Sequence, residues 1–239
     1  MLNAPIAITF LSGAAFVILA IVNVGANLWG WLRPARFTKP LLMPLLAVLV
    51  TVLILLGNHQ GDIDASIWLV YAGLFFGWIG DIALMYESAR SFYLGLGAFL
   101  VGHLFYFALA VRWVILAGGA PPLAWAFTLV VAAIYTIFAV SFMRVYHRRD
   151  SLLATKPVLV YAYSSVIMLM SAAMLLAHLA QPNFGTEAAM WGAALFLISD
   201  TTLSKQMFFE HSSLRQGMLM CTYVSGQAMI ALGTVFAGL

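Results

Sequence analysis

The chain has 239 residues, 64% of them hydrophobic and only 8% charged, with a formal net charge of +3. Its mean hydropathy is +1.02. Soluble domains run near a quarter charged, so a soluble globular fold is excluded and a polytopic membrane protein is implied. The positive balance is no nucleic-acid signature, because the basic residues cluster in particular loops, as membrane topology predicts. The single cysteine, Cys221, excludes an internal disulfide and a cysteine-based zinc site.

A membrane span needs about 20 mainly apolar residues. Eight segments qualify: roughly 6–31, 41–57, 66–86, 92–116, 122–146, 157–179, 188–207 and 216–238. No basic residue precedes the first, which reads as a retained span rather than a cleaved signal peptide. The second is short and takes Pro40 into its first turn, where proline is tolerated. Turn and charge signals mark the breaks, among them Arg33 to Arg36, Asn58 to Asp62, Gly118 to Pro122, His147 to Asp150 and Gln181 to Gly185. All connections are short. The fold class is therefore all-α, a polytopic membrane bundle of about eight transmembrane helices in one integral domain over 1–239.

Orientation follows from charge. The loops after spans one, three, five and seven, with their flanks, hold Arg33, Arg36, Lys39, Arg90, Arg144, Arg148, Arg149, Lys156, Lys205 and Arg215. The opposite side holds only Arg112. Basic loops resist translocation, so this side is expected to be cytoplasmic and both termini to face outward; a bacterial inner membrane is the expected location.

The chain also repeats. Thr38, Lys39 and Pro40 open span two as Thr155, Lys156 and Pro157 open span six. Gly73 precedes Asp81 as Gly192 precedes Asp200, with eight residues of separation in each case (81 − 73 and 200 − 192). This predicts two four-helix halves, about 1–117 and 118–239, related by a parallel repeat. Spans three and seven would then lie face to face.

Asp81 and Asp200 are the chemistry-bearing residues. Each lies inside a long apolar run, whereas the six other acidic residues fall in or beside polar connections. A carboxyl group inside a bilayer costs roughly 2.5–3.5 kcal/mol on insertion scales, so it is rarely decorative. Two carboxyls sharing a low-dielectric site resist double ionisation and hold one proton between them. That supplies an acid and a base in one place. Both lie toward the basic, inner ends of their spans. Asn23 and Asn27, four apart on one helical face, belong near the same depth, as do Lys39, Lys156 and Tyr161. His103 and Tyr106 in span four, and Tyr223 and Gln227 in span eight, complete the candidate pocket-lining set. Interhelical bonding is the competing role for most of these polar groups. Gly25, Gly30, Gly95 and Gly97 read as packing glycines.

Other chemistries find little support. A zinc site wants about four ligands, and the spans offer His103 and two aspartates, so no metal is predicted. There is no Gly-x-Ser-x-Gly elbow, no Walker loop and no dinucleotide fingerprint.

The ordered motifs Lys39 to Met43, Gly80 to Leu84, Gly102 to Tyr106, Gly192 to Phe196 and Ser199 to Leu203 resemble the YhhN-like lysoplasmalogenase family. The resemblance covers most of the chain. It implies hydrolysis of the vinyl-ether bond of lysoplasmalogens to a fatty aldehyde and a glycerophospho-ethanolamine or -choline, with Asp81 and Asp200 essential. Independently of the resemblance, no cofactor, no nucleic acid and no obligate protein partner is expected. The partners would be a lysophospholipid substrate and membrane lipid. Vinyl ethers hydrolyse through an oxocarbenium ion, which needs a positioned acid, a nearby negative charge and a directed water. Ser199 and Thr201 offer donors to Asp200, which would keep it ionised and leave Asp81 as the acid. Lys39, Lys156 or Arg90 would hold the phosphate. Two other classes stay open: a proton-coupled transporter, and a structural or lipid-binding membrane protein.

Overall fold

A computed structural model describes residues 4–56, 65–86, 88–147, 157–208 and 212–237. Its described secondary structure is entirely helical. Among the described residues eight helices follow one another: α1 (Ala4–Leu28), α2 (Leu32–Leu56), α3 (Ala65–Ala83), α4 (Ala89–Leu116), α5 (Pro122–His147), α6 (Pro157–Ala180), α7 (Phe184–Phe208) and α8 (Ser213–Phe236). Each of the eight sequence-predicted segments is thus helical. Among the described residues, seven of these helices are long and apolar enough to cross a membrane. The exception is α7, which carries Glu187, Ser199, Asp200, Thr201 and Thr202.

Helix α2 departs most from its sequence-based start. It begins nine residues before Leu41 (41 − 32) and runs unbroken through Pro40 and Pro44. Proline removes the i→i−4 bond of its own position, so Pro44 leaves the Pro40 carbonyl without its helical donor. The indole of Trp78 on α3 takes that place, Nε1 donating to the Pro40 oxygen at 2.8 Å. A neighbouring helix thereby satisfies the freed backbone group, the condition under which prolines persist in membrane helices. The consequence is functional. Lys39 sits inside a helix packed on α3, not in a connecting loop.

Helix α1 ends earlier than expected because Gly30, at φ +71°, adopts the left-handed conformation that stops it. Trp31 N donates to Ala26 O at 2.7 Å and Gly30 N to Asn27 O at 3.3 Å. These two bonds form a glycine-terminated Schellman cap, and the chain reverses directly into α2. Gly30 is therefore a turn residue, not the packing glycine expected. Gly97 also corrects its expectation, since a Cβ there would meet nothing within 4 Å among the described residues.

The tightest seams join α7 to α8 and α3 to α4. Lipid supplies no hydrophobic drive between helices, so close backbone approach at small residues must do so. A Cβ on Gly226 would sit 2.9 Å from the Gly192 carbonyl, and one on Gly233 would sit 2.6 Å from the Gly185 carbonyl. In the α3–α4 seam, a Cβ on Gly102 would lie 3.2 Å from the Gly73 carbonyl. Helix α8 touches α1, α2, α3 and α7, whereas α5 packs chiefly on α6. Leu42, Met43, Leu46, Met170, Met174, Phe196 and Met220 form the buried centre.

The expected face-to-face packing of α3 and α7 is not what the bundle adopts. They share no substantial interface among the described residues. Their glycine faces are occupied by α4 and α8, the neighbours that approach closest.

Candidate active site

One cavity of about 820 Å³ gathers the two aspartates. It is walled by the C-terminal ends of α1, α3 and α7 and the N-terminal ends of α2, α4 and α8. Ligand pockets generally span about 300–1,000 Å³, with apolar walls and a few convergent polar groups. Here the apolar walls include Leu84, Met85, Phe92, Phe99, Phe196 and Leu203. The polar groups are Asn27, Lys39, Asp81, His103, Asp200 and Tyr223, with Arg36, Ser212, Ser213 and Gln216 contributed by the α1–α2 and α7–α8 end of the bundle.

Asp81 is 1% exposed and fully partnered. Lys39 Nζ lies 3.3 Å from Oδ1, and the Tyr223 hydroxyl donates to Oδ2 at 2.8 Å. A buried carboxylate is tolerated when it is paired with a cation and hydrogen-bonded in this way. The Tyr223 hydroxyl is itself fixed from behind. Gln227 Nε2 donates to it at 3.3 Å, and the Tyr106 hydroxyl donates to Gln227 Oε1 at 2.6 Å. Gly77 leaves room for this line: a Cβ there would lie 2.8 Å from Gln227 Nε2 and 3.3 Å from the Tyr223 hydroxyl.

Asp200 stands in different company. The Tyr163 hydroxyl donates to Oδ1 at 3.2 Å. Oδ2 is buried and has no hydrogen-bond partner among the described residues. His103 Nε2 lies 3.8 Å from Oδ2, beyond hydrogen-bond range. His103 is 2% exposed and sits edge-on to Phe196, ring centres 5.0 Å apart. Asp200 is thus the less satisfied carboxyl, the reverse of the sequence-based expectation. The reason is local: the hydroxyls beside it are spent on backbone. Ser199 Oγ donates to the Leu219 carbonyl at 3.4 Å, and Thr201 Oγ1 to the Leu197 carbonyl at 2.7 Å.

The two aspartates draw partners from matching places. Asp81 meets Lys39 of the preceding helix and Tyr223 of the last helix of the chain's second half. Asp200 meets Tyr163 of its preceding helix and faces His103 of the last helix of the first half.

Not every candidate reaches the cavity. Asn27, Lys39, His103 and Tyr223 line it with the aspartates. Asn23 does not. It is fully buried between helices, its Nδ2 donating to Ala35 O at 3.1 Å and Thr38 Oγ1 at 2.8 Å, and so fixes α1 on α2. Tyr106 and Gln227 lie behind Tyr223 as support. Lys156 and the side chain of Tyr161 lie outside the described residues. Arg90 is exposed and does not line the cavity, whereas Arg36 does. Tyr163 was not singled out from sequence. It lies two positions from Tyr161, roughly 200° around the helix, and nothing local says which face meets Asp200. Among the described residues, no group of three or more His, Cys, Asp or Glu side chains is placed to hold a metal.

Neither a curated protein nor a solved structure matches the chain. A family model described as the YhhN family matches residues 35–234, a stretch that contains both aspartates and the greater part of the cavity wall, and the chain belongs to that family.

Proposed function

We propose that the protein is an intramembrane hydrolase that cleaves the vinyl-ether bond of lysoplasmalogens, releasing a fatty aldehyde and a glycerophospho-ethanolamine or -choline. The observation that carries this reading is that one cavity holds two carboxyls in unlike surroundings, one paired with a lysine and one with an oxygen unpartnered among the described residues. Membership of the YhhN family supports the same class of reaction. The cavity opens at the end of the bundle that carries the basic residues, which we take as cytoplasmic by the positive-inside rule.

In this mechanism Asp200 carries the proton and Asp81 the negative charge. Asp200 Oδ2 protonates the β-carbon of the vinyl ether, and the enol-ether π bond becomes the new C–H bond. An oxocarbenium ion forms at the adjacent carbon. The Asp81 carboxylate, held by Lys39 and Tyr223, and the newly ionised Asp200 place negative charge in a low-dielectric site where that cation develops. Water adds to the cation and returns one proton to Asp200. The resulting hemiacetal passes its hydroxyl proton to the departing glycerol oxygen and collapses to aldehyde and alcohol. One water is consumed and the acid is regenerated. Arg36, which lines the cavity with Lys39, faces the phosphate, and the aromatic and aliphatic walls take the first carbons of the tail.

The test is aldehyde release by purified, detergent-solubilised protein from a lysoplasmenyl lipid and from its lysoacyl counterpart. Aldehyde from the first and no fatty acid from the second is expected. No turnover of the lysoplasmenyl lipid would defeat the proposal.

A further inference from the structure

One buried polar atom in the cavity wall, Asp200 Oδ2, lacks a hydrogen-bond partner among the described residues, and the His103 ring stands against it. Buried polar groups are nearly always satisfied, so such an atom calls for a physical account. The distance between His103 Nε2 and Asp200 Oδ2 is 3.8 Å. That is too long for a direct bond, and a polar contact of this length is the kind that a water bridges from one side. The ring is held rather than free. Phe196 meets it edge-on at 5.0 Å and Tyr163 at 5.9 Å, so its nitrogens keep a fixed bearing on the carboxyl.

We propose that His103 and Asp200 together hold the hydrolytic water, an inference that rests on the hydrolase reading above. The water donates one hydrogen to His103 Nε2 and the other to Asp200 Oδ2. Its oxygen lone pair then faces the carbon beside the one that Oδ2 has just protonated. One carboxyl oxygen serves twice, giving its proton to carbon and recovering one from the water as the C–O bond forms. His103 is thereby a catalytic residue through its contact with the reacting water, while the Tyr223 line behind Asp81 acts on charge and not on water.

The arrangement makes a prediction that a structural role does not. The oxocarbenium ion has two fates: capture by water, or loss of a proton from the β-carbon back to Asp200. With water held in place, capture wins. With His103 removed, the return path competes. In D₂O the wild-type protein should therefore give aldehyde with one deuterium on the carbon next to the carbonyl, and leave unreacted lysoplasmenyl-ethanolamine free of deuterium. His103→Leu should release aldehyde roughly tenfold more slowly or worse, and its unreacted substrate should carry deuterium on the vinyl β-carbon. His103→Gln, whose amide still reaches the water, should fall between the two in rate and in exchange, and it serves as the readout if the leucine variant does not fold. Slow release with undeuterated substrate in the folded variants, or an unchanged rate, overturns this inference and leaves the hydrolase reading standing. Absence of aldehyde from wild-type protein overturns both.

Discussion

The Tyr223 hydroxyl donates to Asp81 Oδ2 at 2.8 Å, tying the last helix of the chain to the third across the cavity wall. Tyr223→Phe keeps the ring and its edge-on contact with Phe99, centres 5.8 Å apart, and removes only the donor. Interhelical hydrogen bonds in membrane proteins contribute about 0.6 kcal/mol on average and up to about 1.7 kcal/mol. Stability in detergent should fall by an amount in that range. The activity loss should be larger, roughly 10- to 100-fold in kcat/KM, because the donor also fixes the orientation of a charged group in the site. An activity change no larger than the stability change would count against it.

Lys39 and Asp81 form one unit, Nζ to Oδ1 3.3 Å, with side chains 15% and 2% exposed. Removing one partner of a buried ion pair strands the other, at a cost of about 3–5 kcal/mol for a fully buried pair. Lys39 is partly exposed, so Lys39→Met should fall at or below the low end. Asp81→Asn in the Lys39→Met background should recover part of that loss. A double-mutant cycle by chemical denaturation in mixed micelles should give a coupling of about 1–3 kcal/mol. Additive losses would show that the pair is not an energetic unit.

The glycine seams predict opposite outcomes for one chemical change. A Cβ on Gly185 would meet the backbone of Ala237 and Gly233, which cannot swing aside as a side chain can. Gly185→Ala should cost about 1–3 kcal/mol by forcing α7 from α8, a fall of roughly 2–12 °C in Tm for a chain of this size. Gly97→Ala meets nothing and should be neutral, or stabilising by up to about 1 kcal/mol through helix propensity. Thermal unfolding of both variants in one detergent decides it.

Arg36 lines the cavity and Arg90 does not. If Arg36 faces the substrate phosphate, Arg36→Gln should raise KM roughly five- to tenfold with kcat unchanged, the signature of lost uniform binding. Added salt should raise the wild-type KM toward the variant's, since exposed charges are screened. Arg90→Gln should leave both parameters as they are. Steady-state kinetics at two ionic strengths would show equal effects at both positions if the assignment is wrong.

Helices were legible because apolar runs of span length between charged breaks admit few other structures. The aspartates were legible for the same reason, as carboxyls inside those runs. What periodicity could not supply was tertiary repair. Pro40 reads in sequence as the first turn of span two, whereas α2 starts earlier and runs on through Pro40 and Pro44, the indole of Trp78 on another helix satisfying the Pro40 carbonyl. Asn23 and Asn27 share a face, yet Thr38 and the Ala35 carbonyl claim Asn23 and leave Asn27 at the cavity. The hydroxyls beside Asp200 looked like its donors, but each bonds to backbone. Its actual donor, Tyr163, comes from a different helix. Apart from the Thr201 bond, made four residues back in its own helix, the deciding contacts run between helices, where spacing along one helix carries no information.

The central claim is that Asp200 supplies the proton and Asp81 the stabilising charge. The direct measurement is aldehyde release from lysoplasmenyl-ethanolamine by wild type, Asp200→Asn and Asp81→Asn, each shown to be folded by its unfolding transition. Asp200→Asn should lose about 10³-fold or more, and Asp81→Asn about 10²-fold or more, with lysolipid binding retained in both. Aldehyde release at the wild-type rate by either folded variant would contradict the account.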